Sequence, residues 1–155
     1  GVQVVPAAEA ADAVARVLTS RGARSVVTPP GFPPEWRAGV DPAQFLGDEP
    51  RLPFGELDRI DSTVTTVATA VAETGTLVLD GGPGQGRRVL TLIPDHHLCV
   101  VRAAQIVASV PEALAALDPV RPLTFISGPS ATSDIELDRI EGVHGPRTLD
   151  VIITT

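Results

Sequence analysis

The residues best suited to chemistry lie in one stretch, Gly128-Pro129-Ser130-Ala131-Thr132-Ser133-Asp134-Ile135-Glu136, followed by Gly142-Val143-His144-Gly145-Pro146. It gathers hydroxyls, carboxylates and an imidazole, the groups that bind anions, move protons or hold metals. Ser133 and Glu136 stand at capping-box spacing, which predicts a helix from Ser133 to about Ile140. Ser130, Thr132 and Asp134 exceed what a cap needs, and the free amides of a first helical turn offer an anion site. His144 lies between Gly142 and Gly145, where bare backbone lets a ligand come close. Asp134, Glu136 and His144 lack the spacing of a metal site, so no metal is expected. Ser130, Asp134 and His144 lack a Gly-x-Ser-x-Gly elbow, which argues against a hydrolase triad.

Three further segments carry polar groups. Ala72-Glu73-Thr74-Gly75-Thr76 reads as a helix-to-strand junction with Gly75 as the left-handed cap. Its hydroxyls either bond the helix end or line a pocket with Glu73; the sequence leaves both open. His96 and His97 precede a strand, and neighbours on a strand point to opposite faces, one toward a cavity and one toward solvent. Gly81-Gly82-Pro83-Gly84-Gln85-Gly86 sits between two strand-like runs and reads as a hairpin tip. A phosphate loop should open a helix, and Pro83 removes a donor.

The elements that must position these groups follow from the hydrophobic pattern. Val2 to Val5 reads as a strand, Ala7 to Leu18 as a helix with Ala10, Val14, Val17 and Leu18 on one face, and Arg24 to Thr28 as a strand. That order favours a parallel sheet covered by helices. Seven prolines between Pro29 and Pro53 mark an irregular crossover with a short helix near Pro42 to Leu46. Asp61 to Val64 reads as an edge strand, Val67 to Glu73 as a short helix, Gly75 to Asp80 as a strand and Arg88 to Ile93 as its hairpin partner. Strands over Leu98 to Val101, Pro122 to Ile126 and Leu149 to Ile153, and a helix from Pro111 to Leu117, complete the pattern. The fold class expected is α/β, a single domain over residues 1–155 with a mostly parallel sheet flanked by helices plus a β-hairpin.

Composition narrows the function. The chain of 155 residues has a net charge of −7, which argues against a nucleic-acid surface. All twelve basic residues are Arg, so Schiff-base chemistry and a phosphate-loop lysine are excluded. One Cys cannot form an internal disulfide or hold a cluster, and it suggests a reducing, cytoplasmic setting. No apolar run is long enough to span a bilayer. The chain starts at Gly1 and contains no Met, which points to a missing N-terminal segment.

The Gly-Pro-Ser-x-Thr-x-Asp-Ile-Glu run from Gly128, the Gly-Val-His-Gly-Pro run from Gly142 and the upstream Ala-Glu-Thr-Gly-Thr together resemble the LUD-domain family. The likeness in order and spacing extends from about Asp61 to the C-terminus. It implies the α/β fold shared by sugar-phosphate isomerases, folate cyclo-ligases and CoA transferases. It also implies a part in oxidising L-lactate to pyruvate, with iron–sulfur partner proteins carrying the clusters and no cofactor in this chain. The candidate pocket it implies comprises Glu73, Thr74, Gly75, Thr76, His97, Gly128, Ser130, Thr132, Asp134, Glu136 and His144, with no catalytic residue assigned. Family members often carry Arg where this chain has Ala131, so a carboxylate clamp expected there is absent; Arg147 lies near enough in sequence to substitute for it. A stand-alone enzyme acting on a small anionic metabolite, or a ligand-sensing module, are the alternative functions.

Overall fold

A computed structural model describes residues 1–130 and 145–155. A six-stranded parallel sheet is built from β1 (Val2–Val5), β2 (Val26–Thr28), β3 (Phe45–Gly47), β4 (Ser62–Thr65), β7 (His96–Arg102) and β10 (Thr148–Thr154). Their spatial order is β1-β10-β7-β4-β2-β3. A second sheet holds β5 (Thr69–Val71), β6 (Thr76–Leu79), β8 (Ile106–Val107) and β9 (Thr124–Ile126) in the order β8-β5-β6-β9. The expected α/β architecture is therefore present.

The large sheet is buried on both faces, as a parallel sheet must be. One face packs on helix α1 (Ala10–Ser20), whose Ala10, Ala13, Val14 and Leu18 meet Val26, Val64, Leu98, Val100 and Ile152. Phe32 and Trp36, from the proline-rich crossover, seal this core with rings edge to face at 5.8 Å. On the other face, Cys99 and Val101 pack against Val67, Ala70, Leu77 and Leu79 around the small sheet. Beside them Val27 packs under Leu57, Ile60, Leu90 and Ile93. Two short helices, α2 (Phe54–Leu57) and α3 (Val110–Ala116), lie outside the sheets.

Several local expectations need correction. Val67 to Glu73 is not a helix: Thr69–Val71 is β5, paired antiparallel with β6 and parallel with β8. Ala72 to Gly75 is therefore a strand-to-strand turn, with Gly75 at φ +62° supplying the reversal rather than capping a helix. A β-hairpin exists, but it is β5–β6; Arg88–Thr91 forms a 3₁₀ turn that buries Leu90 instead of returning as a strand. The helix expected near Pro42 is one 3₁₀ turn, Pro42–Gln44, running into edge strand β3. β4 is internal, between β7 and β2, rather than an edge. Neither His96 nor His97 faces solvent; both are buried. The helix expected from Ser133 lies outside the described residues.

Candidate functional site

β2 and β4 are neighbours, yet the chain leaves them in opposite directions, outward to β3 after β2 and toward β7 after the β4 strand. Such a reversal opens a crevice at the carboxyl ends of parallel strands, the usual ligand position in open α/β sheets. Here the loop Gly81–Gly86 docks over the crevice. The Thr66 amide donates to Gly84 O at 2.7 Å, the Gly84 amide to Pro30 O at 2.8 Å, and Thr66 Oγ1 to Pro83 O at 3.2 Å. The fit needs glycine: at Gly86, with φ +70°, a Cβ would lie 2.6 Å from Pro29 Cβ. The amides of Gly82, Gly84 and Gln85 are taken by Asp80 Oδ1, Pro30 O and Gly82 O, so these three are not free to cradle an anion despite the loop's composition.

Beside this loop opens a cleft of about 720 Å³. Pro30, Leu79, Pro122 and Leu123 give it an apolar wall, and Asp48, Glu49, Arg51, Arg87 and Arg88 give it charge. Arg87 grips Asp48 with two bonds, Nε to Oδ2 at 2.6 Å and a terminal nitrogen to Oδ1 at 2.7 Å, and also donates to Leu52 O at 2.6 Å. Burial pushes the Asp48 carboxyl up, but the bonds from Arg87 and the Leu52 amide outweigh it and hold the group below its usual range. The guanidiniums of Arg51 and Arg88 are exposed at the cleft and make no side-chain hydrogen bond or ion pair among the described residues, although the Arg51 charge also helps to hold Asp48 low. Sequence reading missed these groups. The one available signal was Arg87-Arg88 directly after a glycine-rich loop.

The residues expected at the site divide among three places. Glu73, Thr74 and Gly75 sit exposed in the β5–β6 turn, and Thr76 opens β6. A hydroxyl chain links Thr74 Oγ1 to Thr76 Oγ1 at 2.7 Å, and Thr76 Oγ1 to Ser127 Oγ at 2.7 Å, bringing the upstream motif beside Gly128. Ser127 was not anticipated. The Ser130 amide donates to Pro146 O at 2.8 Å, tying together the two ends of the segment between them. Thr132, Asp134, Glu136 and His144 lie outside the described residues.

His97 stands elsewhere, fully buried within the large sheet, with Nε2 2.7 Å from Thr65 Oγ1. Burial, helped by His96, lowers its pKa to about 3, so the ring is neutral at ordinary pH. Its neighbour His96 joins a chain across the amino end of the sheet. Ser62 Oγ lies 2.8 Å from His96 Nδ1, and His96 Nε2 lies 3.1 Å from Asp150 Oδ2. Arg21 Nε donates to Asp150 Oδ2 at 2.8 Å. Burial would raise the Asp150 carboxyl, but the hydrogen bonds and charge of Arg21 hold it below its usual range. The suggested substitute clamp, Arg147, is paired with Asp95.

Residues 55–154 match the LUD domain family. The chain is 52% identical over 154 residues to a lactate utilization protein C of Deinococcus radiodurans, covering 96% of this chain and 70% of that protein. A lactate utilization protein C of Exiguobacterium is 33% identical over 103 residues, covering 61% of this chain and 44% of the relative. The crystal structure of a DUF162 family protein from Deinococcus radiodurans matches 100% of this chain and 88% of its own, with TM-score 0.83 and 42% identity.

Proposed function

The chain belongs to the LUD domain family, and from that membership we propose that it serves in lactate utilisation, supporting oxidation of L-lactate to pyruvate together with iron–sulfur partner proteins. The observation that carries this reading is the 52% identity to a lactate utilization protein C. The chemistry of the chain fits a supporting part. Oxidising lactate releases two electrons, which need an acceptor. The single cysteine, Cys99, is buried, and burial pushes its thiol up to about 12, so it offers no thiolate to a cluster. On this reading electron transfer falls to the partners, and this chain contributes binding or assembly. Among the described residues no helix is long and apolar enough to cross a membrane.

A second reading, an enzyme acting alone on a small anionic metabolite, is favoured by the cleft at the carboxyl ends of the strands. Capturing the full-length protein from lysate of its source cells and assaying L-lactate-dependent dye reduction separates the two. Iron–sulfur proteins that co-purify, with dye reduction requiring both them and L-lactate, are the expected result. Capture with neither would sink the lactate role. Turnover of an anionic metabolite by the isolated chain would establish the second reading.

A further inference from the structure

The cleft beside the Gly81–Gly86 loop is too large for lactate. Lactate has six non-hydrogen atoms, and at no more than a water's share of liquid volume each they fill under ~180 Å³. The cleft offers about 720 Å³. A volume of that order matches a metabolite-sized ligand, held by an apolar wall and a few placed polar groups. Pro30, Leu79, Pro122 and Leu123 provide such a wall.

The charges show what the polar end of the ligand must be. Three guanidiniums, of Arg51, Arg87 and Arg88, face two carboxylates, of Asp48 and Glu49, leaving the lining positive in a chain of net charge −7. Asp48 and Arg87 satisfy one another, and Asp48 also accepts from the Leu52 amide. That pair fixes the floor and is not free to bind. Arg51 and Arg88 remain, with forked donors that suit a planar or tetrahedral oxyanion. With the Gly82, Gly84 and Gln85 amides already engaged, an anion in this cleft relies chiefly on these two side chains.

We propose that the cleft binds an organic anion larger than lactate, its oxyanion held by Arg51 and Arg88 and its apolar body laid on the Pro30, Leu79 and Leu123 wall. Arg87 is a positioning residue that holds the Asp48–Leu52 segment in place. This site stands apart from the lactate reading: the complex could oxidise lactate with the cleft empty, and the cleft could fill in a protein with no such role.

The probe is 8-anilinonaphthalene-1-sulfonate, an oxyanion on an apolar body, titrated into the full-length protein by fluorescence. One saturable class of site is expected, weakened about tenfold or more by the double change Arg51→Gln and Arg88→Gln, an effect of about 1.4 kcal/mol. The thermal midpoint should be unchanged, and millimolar L-lactate should not displace the dye. Equal affinity in the double variant would place the dye on another apolar surface and overturn the proposal. Displacement by L-lactate at low concentration would overturn the size argument. If the double variant loses its thermal midpoint, each single variant serves instead, with weakening of several fold expected and none counting against the site.

Discussion

The two ends of the parallel sheet use their polar residues in opposite ways. At the amino end, Ser62, His96 and Asp150 stand on three adjacent strands and bond in sequence, with Arg21 from the end of α1 closing the chain. The residue types are those of a hydrolase triad, but both ring nitrogens of His96 are engaged and Ser62 is fully buried. No substrate carbonyl can reach that hydroxyl, so the network serves the fold. At the carboxyl end the reverse holds: the guanidiniums of Arg51 and Arg88 face a cleft without a side-chain hydrogen bond or ion pair among the described residues. Chemistry-bearing residue types are thus a poor guide to function on their own. What separates the two ends is whether the protein has already used the groups.

The strongest way to break this contrast is Asp150→Ala. It strips the acceptor from His96 and Arg21 at a position only 8% exposed. Removing one partner of a buried, hydrogen-bonded charge network should cost about 3 kcal/mol. A urea unfolding midpoint measures this, and a loss under about 1 kcal/mol would show that the amino-end network is not structural. Asp150→Asn, which keeps the shape and one acceptor, should cost less.

Acid tests the same end through the histidines. Burial lowers the pKa of His96 and takes His97 to about 3. A depressed histidine binds its proton more readily in the unfolded chain, so the stability it confers is complete above about pH 6.5 and drains away as pH falls. His97 contributes a slope approaching about 1.4 kcal/mol per pH unit below that point, and His96 adds to it in the same direction. Asp150, held low by Arg21, adds its own loss only below about pH 4. His97→Gln, which can still bond Thr65, should remove one histidine's share of the slope between about pH 6 and 5. An unchanged slope in unfolding curves would mean that His97 is not the buried neutral group described.

Much of this was legible in the sequence, and the failures have physical causes. β1, α1, β2, β6 and β10 announced themselves through period and punctuation. β5 did not: Val67 to Val71 is buried with little interruption, so no polar alternation marks a strand, and its alanines suggest a helix. Arg88 to Ile93 has strand-forming residues, yet Leu90 and Ile93 are drawn under Val27, and tertiary packing overrides local preference. The hydroxyl cluster was partly readable, because Thr74 and Thr76 stand in a recognisable motif, while their partner Ser127 is fifty-one residues away from Thr76. The cleft was invisible for the same reason. Asp48 and Arg87 meet across thirty-nine residues of chain, brought together by the sheet order rather than by any local pattern.

The smallest predicted effect draws the sharpest line, because it separates two adjacent residues of one type. Arg87 is half-buried, holds a carboxylate that is 5% exposed and bonds a backbone carbonyl, so Arg87→Gln should cost about 2 kcal/mol by leaving Asp48 with only the Leu52 amide and the nearby Arg51 charge. The Arg88 side chain is exposed and makes no hydrogen bond or ion pair among the described residues, so Arg88→Gln should change stability by no more than about 0.5 kcal/mol. Thermal or urea midpoints of the two variants, measured side by side, decide the matter. If Arg88→Gln costs as much as Arg87→Gln, Arg88 is structural and the contrast between the two ends of the sheet collapses. If Arg88→Gln is silent for stability yet weakens anion binding, the guanidinium is held at the cleft for a ligand rather than for the fold.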